Sequence, residues 1–160
     1  MKKILKYILI LLITTGISSC VDNSIIFDES VIISNSSWNQ DEMPYFDVNV
    51  EDTTSNYAFY LNIRHLENYR YSNFYMFLHT TFPNGGQTHD TIECFLAYPD
   101  GRWIGDGSGS MRTSKILLNN NLQFPLKGTY HFEIEQAMRD DVLDGITDVG
   151  LRFEKVTEGK

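Results

Sequence analysis

Cys20 closes the run Ile17-Ser18-Ser19-Cys20: an aliphatic residue, two small ones, then a thiol. That order has the chemistry of a bacterial lipobox. Small side chains at Ser18 and Ser19 let the backbone enter a peptidase cleft. The Cys20 thiol then takes a diacylglycerol by thioether and becomes the new N-terminus. Upstream, Lys2, Lys3 and Lys6 flank an apolar stretch from Tyr7 to Ile13, which Thr14, Thr15 and Gly16 dilute. This is the layout of a secretory leader. The stretch is too short to span a bilayer, because ~30 Å of hydrocarbon takes roughly 20 apolar residues. Residues 1–19 are expected to be cleaved, and Cys20 to carry the lipid. Each buried acyl methylene contributes about 0.8 kcal/mol, and stable anchoring takes more than one chain.

The second cysteine, Cys94, is then left without an intramolecular partner. It shares a strand face with Ile92 and Leu96 and reads as a small buried hydrophobe. A nucleophilic role would need an activating base or cation, which the sequence does not place beside it.

The most conspicuous loop is Gly101-Arg102-Trp103-Ile104-Gly105-Asp106-Gly107-Ser108-Gly109-Ser110. A glycine-rich loop cradles phosphate when it joins a strand to a helix N-terminus. Here no helical pattern follows, so a hairpin connection with Trp103 packed across the end of the sheets is the expected structure. Asp100 and Asp106 could ligate Ca²⁺ with nearby carbonyls, but calcium-loop spacing is absent. His65, His79, His89 and His131 form no i, i+4 pair and no HExxH pattern, which argues against zinc. Asp140-Asp141 reads as solvated charge. No catalytic residue, metal site or cofactor is expected. Trp38, Tyr69 and Tyr71 could form an aromatic platform for sugar rings, or could be packing at one end of the sheets. With Trp103 and Arg139 they make up the candidate interaction surface.

These residues must be positioned by strands. Phe46-Val48-Val50, Tyr57-Phe59-Leu61-Ile63, Phe74-Met76-Leu78, Tyr130-Phe132-Ile134 and Val149-Leu151-Phe153 each alternate with polar or exposed positions. Period two predicts strands with one face in a core. Turns are expected at 52–56, 83–86, 99–101 and 119–121. The spacing suggests an all-β, antiparallel, jelly-roll-like sandwich over residues 25–160, with 20–24 as the lipidated cysteine and a short tether. Only Glu135 to Leu143 has helical character, with Met138 and Val142 on one face and Gly145 as a stop. One short helix is therefore expected there.

The formal charge is −8. Losing Lys2, Lys3 and Lys6 leaves 10 basic against 21 acidic residues, a charge of −11. Such a surface excludes nucleic acid, which requires clustered cations. It also excludes adsorption to anionic lipid through a basic patch, so membrane attachment rests on acyl chains.

Taken in order, several segments resemble the gliding motility lipoprotein family GldH of the Bacteroidota. They are the lipobox at Cys20, Trp38 ahead of Phe46–Val50, Tyr57–Arg64 and Tyr71-Ser72-Asn73. Asp90-Thr91 through Gly101–Gly105, Gly128-Thr129-Tyr130, Gln136-Ala137-Met138-Arg139 and Gly145-Ile146 complete the set. The resemblance implies a non-enzymatic, lipid-anchored accessory of the gliding apparatus, linked to type IX secretion. Its implied partners are other envelope proteins of that machinery. The alternative from the residues alone is a surface module that binds carbohydrate.

Overall fold

The computed structural model describes residues 24–107 and 109–156. The leader, Cys20 and most of the tether lie outside them. Ten strands follow in chain order: β1 (Ile25–Ile32), β2 (Ser37–Asn39), β3 (Tyr45–Val50), β4 (Tyr57–Leu66) and β5 (Asn73–Thr81). Then come β6 (Gln87–Phe95), β7 (Met111–Leu122), β8 (Gly128–Gln136), β9 (Val142–Asp144) and β10 (Ile146–Lys155). Two four-stranded antiparallel sheets run β1-β10-β4-β7 and β3-β8-β5-β6, with β2-β9 as a two-stranded ribbon.

The pairing is nested. β5 pairs with β6, β4 with β7, β3 with β8, β2 with β9 and β1 with β10, all antiparallel. One long hairpin, turning at 82–86, is thus rolled so that β4 also meets β10 and β5 also meets β8. The tip of the hairpin is closed by Phe82 N–H to the Gly86 carbonyl at 2.8 Å and Gly85 N–H to the Phe82 carbonyl at 2.8 Å.

Alternation drives the packing. β3 alternates strictly between exposed and buried residues, and the inner faces of both sheets share one core. Phe59 stacks on Phe153 at 4.4 Å within the first sheet, and Phe132 of the second meets Phe153 at 5.3 Å. Phe27 and Phe46 close the same contact near the edge at 6.2 Å. Burying each such ring contributes about 1.5–3 kcal/mol, so the sheets are held face to face mainly by aromatic area.

The C-terminal helix is not formed. Residues 128–136 continue as β8 through Gln136, a turn follows, and β9 begins at Val142. Two apolar residues one turn apart cannot offset the cost of helix nucleation. The period-two series Tyr130, Phe132, Ile134, Gln136 prevails instead. The buried Gln136 amide then ties the turn, donating to the Asp140 carbonyl at 2.8 Å and accepting from the Met138 N–H at 3.0 Å. Nor do Asn119–Asn121 end a strand: they form an irregularity inside β7, where the register against β4 slips. There the Asn121 N–H bonds the Asn119 side chain at 2.8 Å.

Chain direction gives the body two distinct ends. The start of β1 lies with the loops 51–56, 82–86 and 123–127, and this is the near end. A loop there is locked by the Asp52 carboxylate, which accepts from Lys155 Nζ and Ser55 Oγ, both at 2.7 Å. Lys155 foremost holds that carboxyl well below the usual range. The end of β1, some 25 Å away for eight extended residues, lies with the β4–β5, β6–β7 and β8–β9 loops.

Candidate functional site at the far end

All five candidate surface residues fall at this far end, on four different connections. Their exposure divides them. Trp38 on β2 is fully buried and stacks on Phe74 at 5.5 Å, its indole N–H donating to the Glu42 carbonyl at 2.8 Å. Tyr69, 4% exposed, lies against His65 at 5.6 Å and Tyr71 at 5.8 Å, with its hydroxyl donating to the Asn73 carbonyl at 3.1 Å. Burial raises its pKa. Neither ring is on a surface, which corrects the expectation for both. Amphipathic rings with a satisfied polar tip pack well at the end of a core, and here the β2–β9 ribbon covers them.

Tyr71, Trp103 and Arg139 remain accessible in part or whole. Tyr71 donates its hydroxyl to Asp140 Oδ2 at 2.7 Å, which raises its pKa, and the Arg70 guanidinium lies 5.9 Å from its ring. Arg70, Tyr71, Arg139, Asp140, Asp141 and Asp144 line a shallow cleft of about 390 Å³. Asp144 accepts from the Ser37 hydroxyl at 2.6 Å. Two guanidiniums and three carboxylates therefore share one open depression. Such an arrangement suits a charged protein surface, because matched charge orients a partner and speeds encounter.

Trp103 sits half-buried, edge-on to His65 at 4.5 Å, and does not line this cleft. Two glycines of its loop, Gly105 and Gly107, serve close packing, whereas Gly101 and Gly109 supply positive φ at turns. A Cβ on Gly105 would lie 2.5 Å from Ser114 Oγ and 2.7 Å from the Thr113 carbonyl. The loop is thus pressed onto β7 and forms no phosphate cradle. Asp100 gives its carboxylate to Arg102 Nε at 2.8 Å, and Arg102 principally lowers its pKa. Cys94 is 1% exposed, and burial pushes its thiol up to about 12, so it holds its hydrogen and packs as a hydrophobe.

Sequence reasoning missed His65. It is fully buried; Nδ1–H donates to the Leu66 carbonyl at 2.9 Å, and Nε2 is unpartnered. Burial lowers its pKa, aided by Arg112. An unfolded histidine takes a proton near pH 6.5, whereas the folded ring resists it. The His65 contribution is therefore neutral above that pH and destabilising below it. Relative to a His65→Leu variant, wild-type stability is expected to fall by up to about 1.4 kcal/mol per pH unit below about 6.5. The loss ends once the folded ring itself protonates. Urea titrations at pH 7.5 and 5.5 check this, and parallel losses in both proteins would refute it. Its signal in the sequence was an imidazole at an inward position of a strand, following Leu61 and Ile63.

The fold defines a small, all-β, antiparallel domain with a charged cleft at the end remote from the start of its first strand. The chain belongs to the GldH lipoprotein family, whose model matches residues 25–153. It is 39% identical over 145 residues to a "Gliding motility lipoprotein GldH homolog" of Christiangramia forsetii, covering 86% of this chain and 88% of that one. It is 34% identical over 154 residues to the "Gliding motility lipoprotein GldH" of Flavobacterium johnsoniae, covering 92% and 94% respectively. No solved structure matches.

Proposed function

We propose that this protein is a lipid-anchored, non-enzymatic accessory of the gliding machinery, held to a membrane through Cys20. In this reading a jelly-roll body presents its far-end cleft to another envelope protein. The lipobox and the two relatives' names support the anchor and the process. The observation that supports the interaction is topological: Arg70, Tyr71 and Arg139 line one cleft, one strand length away from the start of β1. The jelly-roll reading rests on the eight long strands, which order as 1-8-3-6 and 2-7-4-5 in two sheets. The carbohydrate alternative loses two of its three platform rings, since Trp38 and Tyr69 are buried.

The test uses cells lacking the native gene, complemented with variants. Cys20→Ala is expected to move a folded protein from the membrane to the soluble fraction and to stop colony spreading. Arg70→Glu combined with Arg139→Glu is expected to leave the protein on the membrane. It should weaken co-purification of its protein partner about tenfold or more, as for loss of a central cationic anchor. Unchanged co-purification by the double variant would sink the far-end assignment, and spreading by unanchored protein would sink the role of the lipid.

A further inference from the structure

The outer face of the second sheet carries a histidine pair that no part of the gliding role employs. The β5–β6 register sets His79 directly opposite His89. Their rings meet edge to face with centroids 4.8 Å apart, and the two Nδ1 atoms are 2.6 Å apart. On its other side, His79 Nε2 lies 2.8 Å from Glu135 Oε2, one strand over on β8. An ionised carboxylate only accepts, so His79 carries its hydrogen on Nε2 and turns the Nδ1 lone pair toward His89. The hydrogen shared between the two Nδ1 atoms therefore belongs to His89.

We propose that this Nδ1–Nδ1 pair is a binding site for one divalent transition-metal cation, the cation taking the place of that hydrogen. A carboxylate fixing the distal nitrogen is how metal-binding histidines are held in the correct tautomer, and Glu135 occupies that position for His79. A concavity of about 190 Å³ surrounds the pair, and Glu133, Glu135, Gln87 and Met43 line it. Glu133 stands directly across from His79 on β8 and can supply a third donor. Among the described residues no three His, Cys, Asp or Glu side chains yet converge on one point. The cation is thus held by two nitrogens, with a carboxylate and water completing the shell. Metal–imidazole bonds of about 2.1 Å require the nitrogens to open to about 3 Å or slightly more. Both rings sit on the sheet surface, where a small χ rotation provides that movement. The balance is simple: a neutral His89 relocates its hydrogen from Nδ1 to Nε2 through solvent, both lone pairs are donated, and nothing is oxidised. Imidazole donors select zinc, nickel or copper over the oxygen-seeking calcium and magnesium.

The experiment is calorimetric titration of the full-length lipidated protein in detergent with zinc chloride and nickel chloride, with calcium chloride as the control. One equivalent is expected to bind at micromolar concentration, with no heat from calcium. His79→Ala and His89→Ala should each weaken binding about 100-fold, and Glu135→Gln about tenfold, in line with its indirect role. Near-UV circular dichroism confirms that the variants fold. Imidazole NMR of the wild type reads the site without any variant: zinc should shift the His79 and His89 ring resonances selectively. Absence of zinc binding, or binding that survives both alanine variants, overturns the proposal. Either result leaves the far-end assignment untouched, because the two sites share no residue.

Discussion

Phe153→Ala is expected to lower the unfolding free energy by about 3–5 kcal/mol, a large share of the roughly 5–15 kcal/mol that holds an ordinary domain. Phe153 is fully buried near the C-terminal end of β10 and lies against four other rings. Phe59 stacks on it at 4.4 Å, Phe132 reaches it from the opposite sheet at 5.3 Å, and Phe124 and Phe27 lie at 5.5 and 6.3 Å. Removing the ring therefore opens a cavity at the junction of both sheets, and none of the neighbours can collapse into it without breaking another pair. Phe153→Leu should recover roughly half the loss, because volume is kept while ring pairing is lost. Chemical denaturation checks both variants. A cost below about 1 kcal/mol for the alanine change would show that the two sheets are not joined through this ring.

Gly150→Ala is expected to cost about 3 kcal/mol, a large penalty for one added methyl group. Gly150 pairs with Ser30 of β1 and Asn62 of β4, so it has a strand on each side. A Cβ there would stand 2.2 Å from Ser30 Oγ, 2.4 Å from the Glu29 carbonyl oxygen and 2.9 Å from Ser30 Cα. Two of those three atoms are backbone, so β1 itself must shift outward. Ser30→Ala should consequently fail to rescue the variant. Hydrogen exchange is expected to accelerate first at the amides of β1, ahead of those of β4. Rescue by Ser30→Ala would assign the strain to the side chain alone.

Much of the fold was legible because two-residue alternation is a direct imprint of a half-buried sheet. Phe46-Val48-Val50 and Tyr130-Phe132-Ile134 are inward in the structure for that reason. The edge strands were harder to read. β6 presents a nearly continuous run of exposed polar residues, because one of its sides has no strand and its inner face meets little core. The expected helix over 135–143 failed on a local ambiguity: a polar turn after a strand looks like a weak amphipathic helix until Gln136 is seen capping it. The surface role of Trp38 failed for another reason. Nothing local shows that a three-residue strand pairs with Leu143, more than a hundred positions away, and roofs the core. The histidine pair was within reach, since His79 and His89 stand equidistant from the Asn84 centre of a predicted turn. Hairpin register alone brings them together.

Nested pairing also governs when the body can take shape. Among the described residues strand β1 has its only sheet neighbour in β10, so the first strand must wait for the last. A chain that emerges N-terminus first cannot seal this sheet before residues near 155 have appeared. Until then the closing contacts are the most distant in sequence, hence the slowest to form. The seam between the first strand and the last is thus the part of the body expected to lock last.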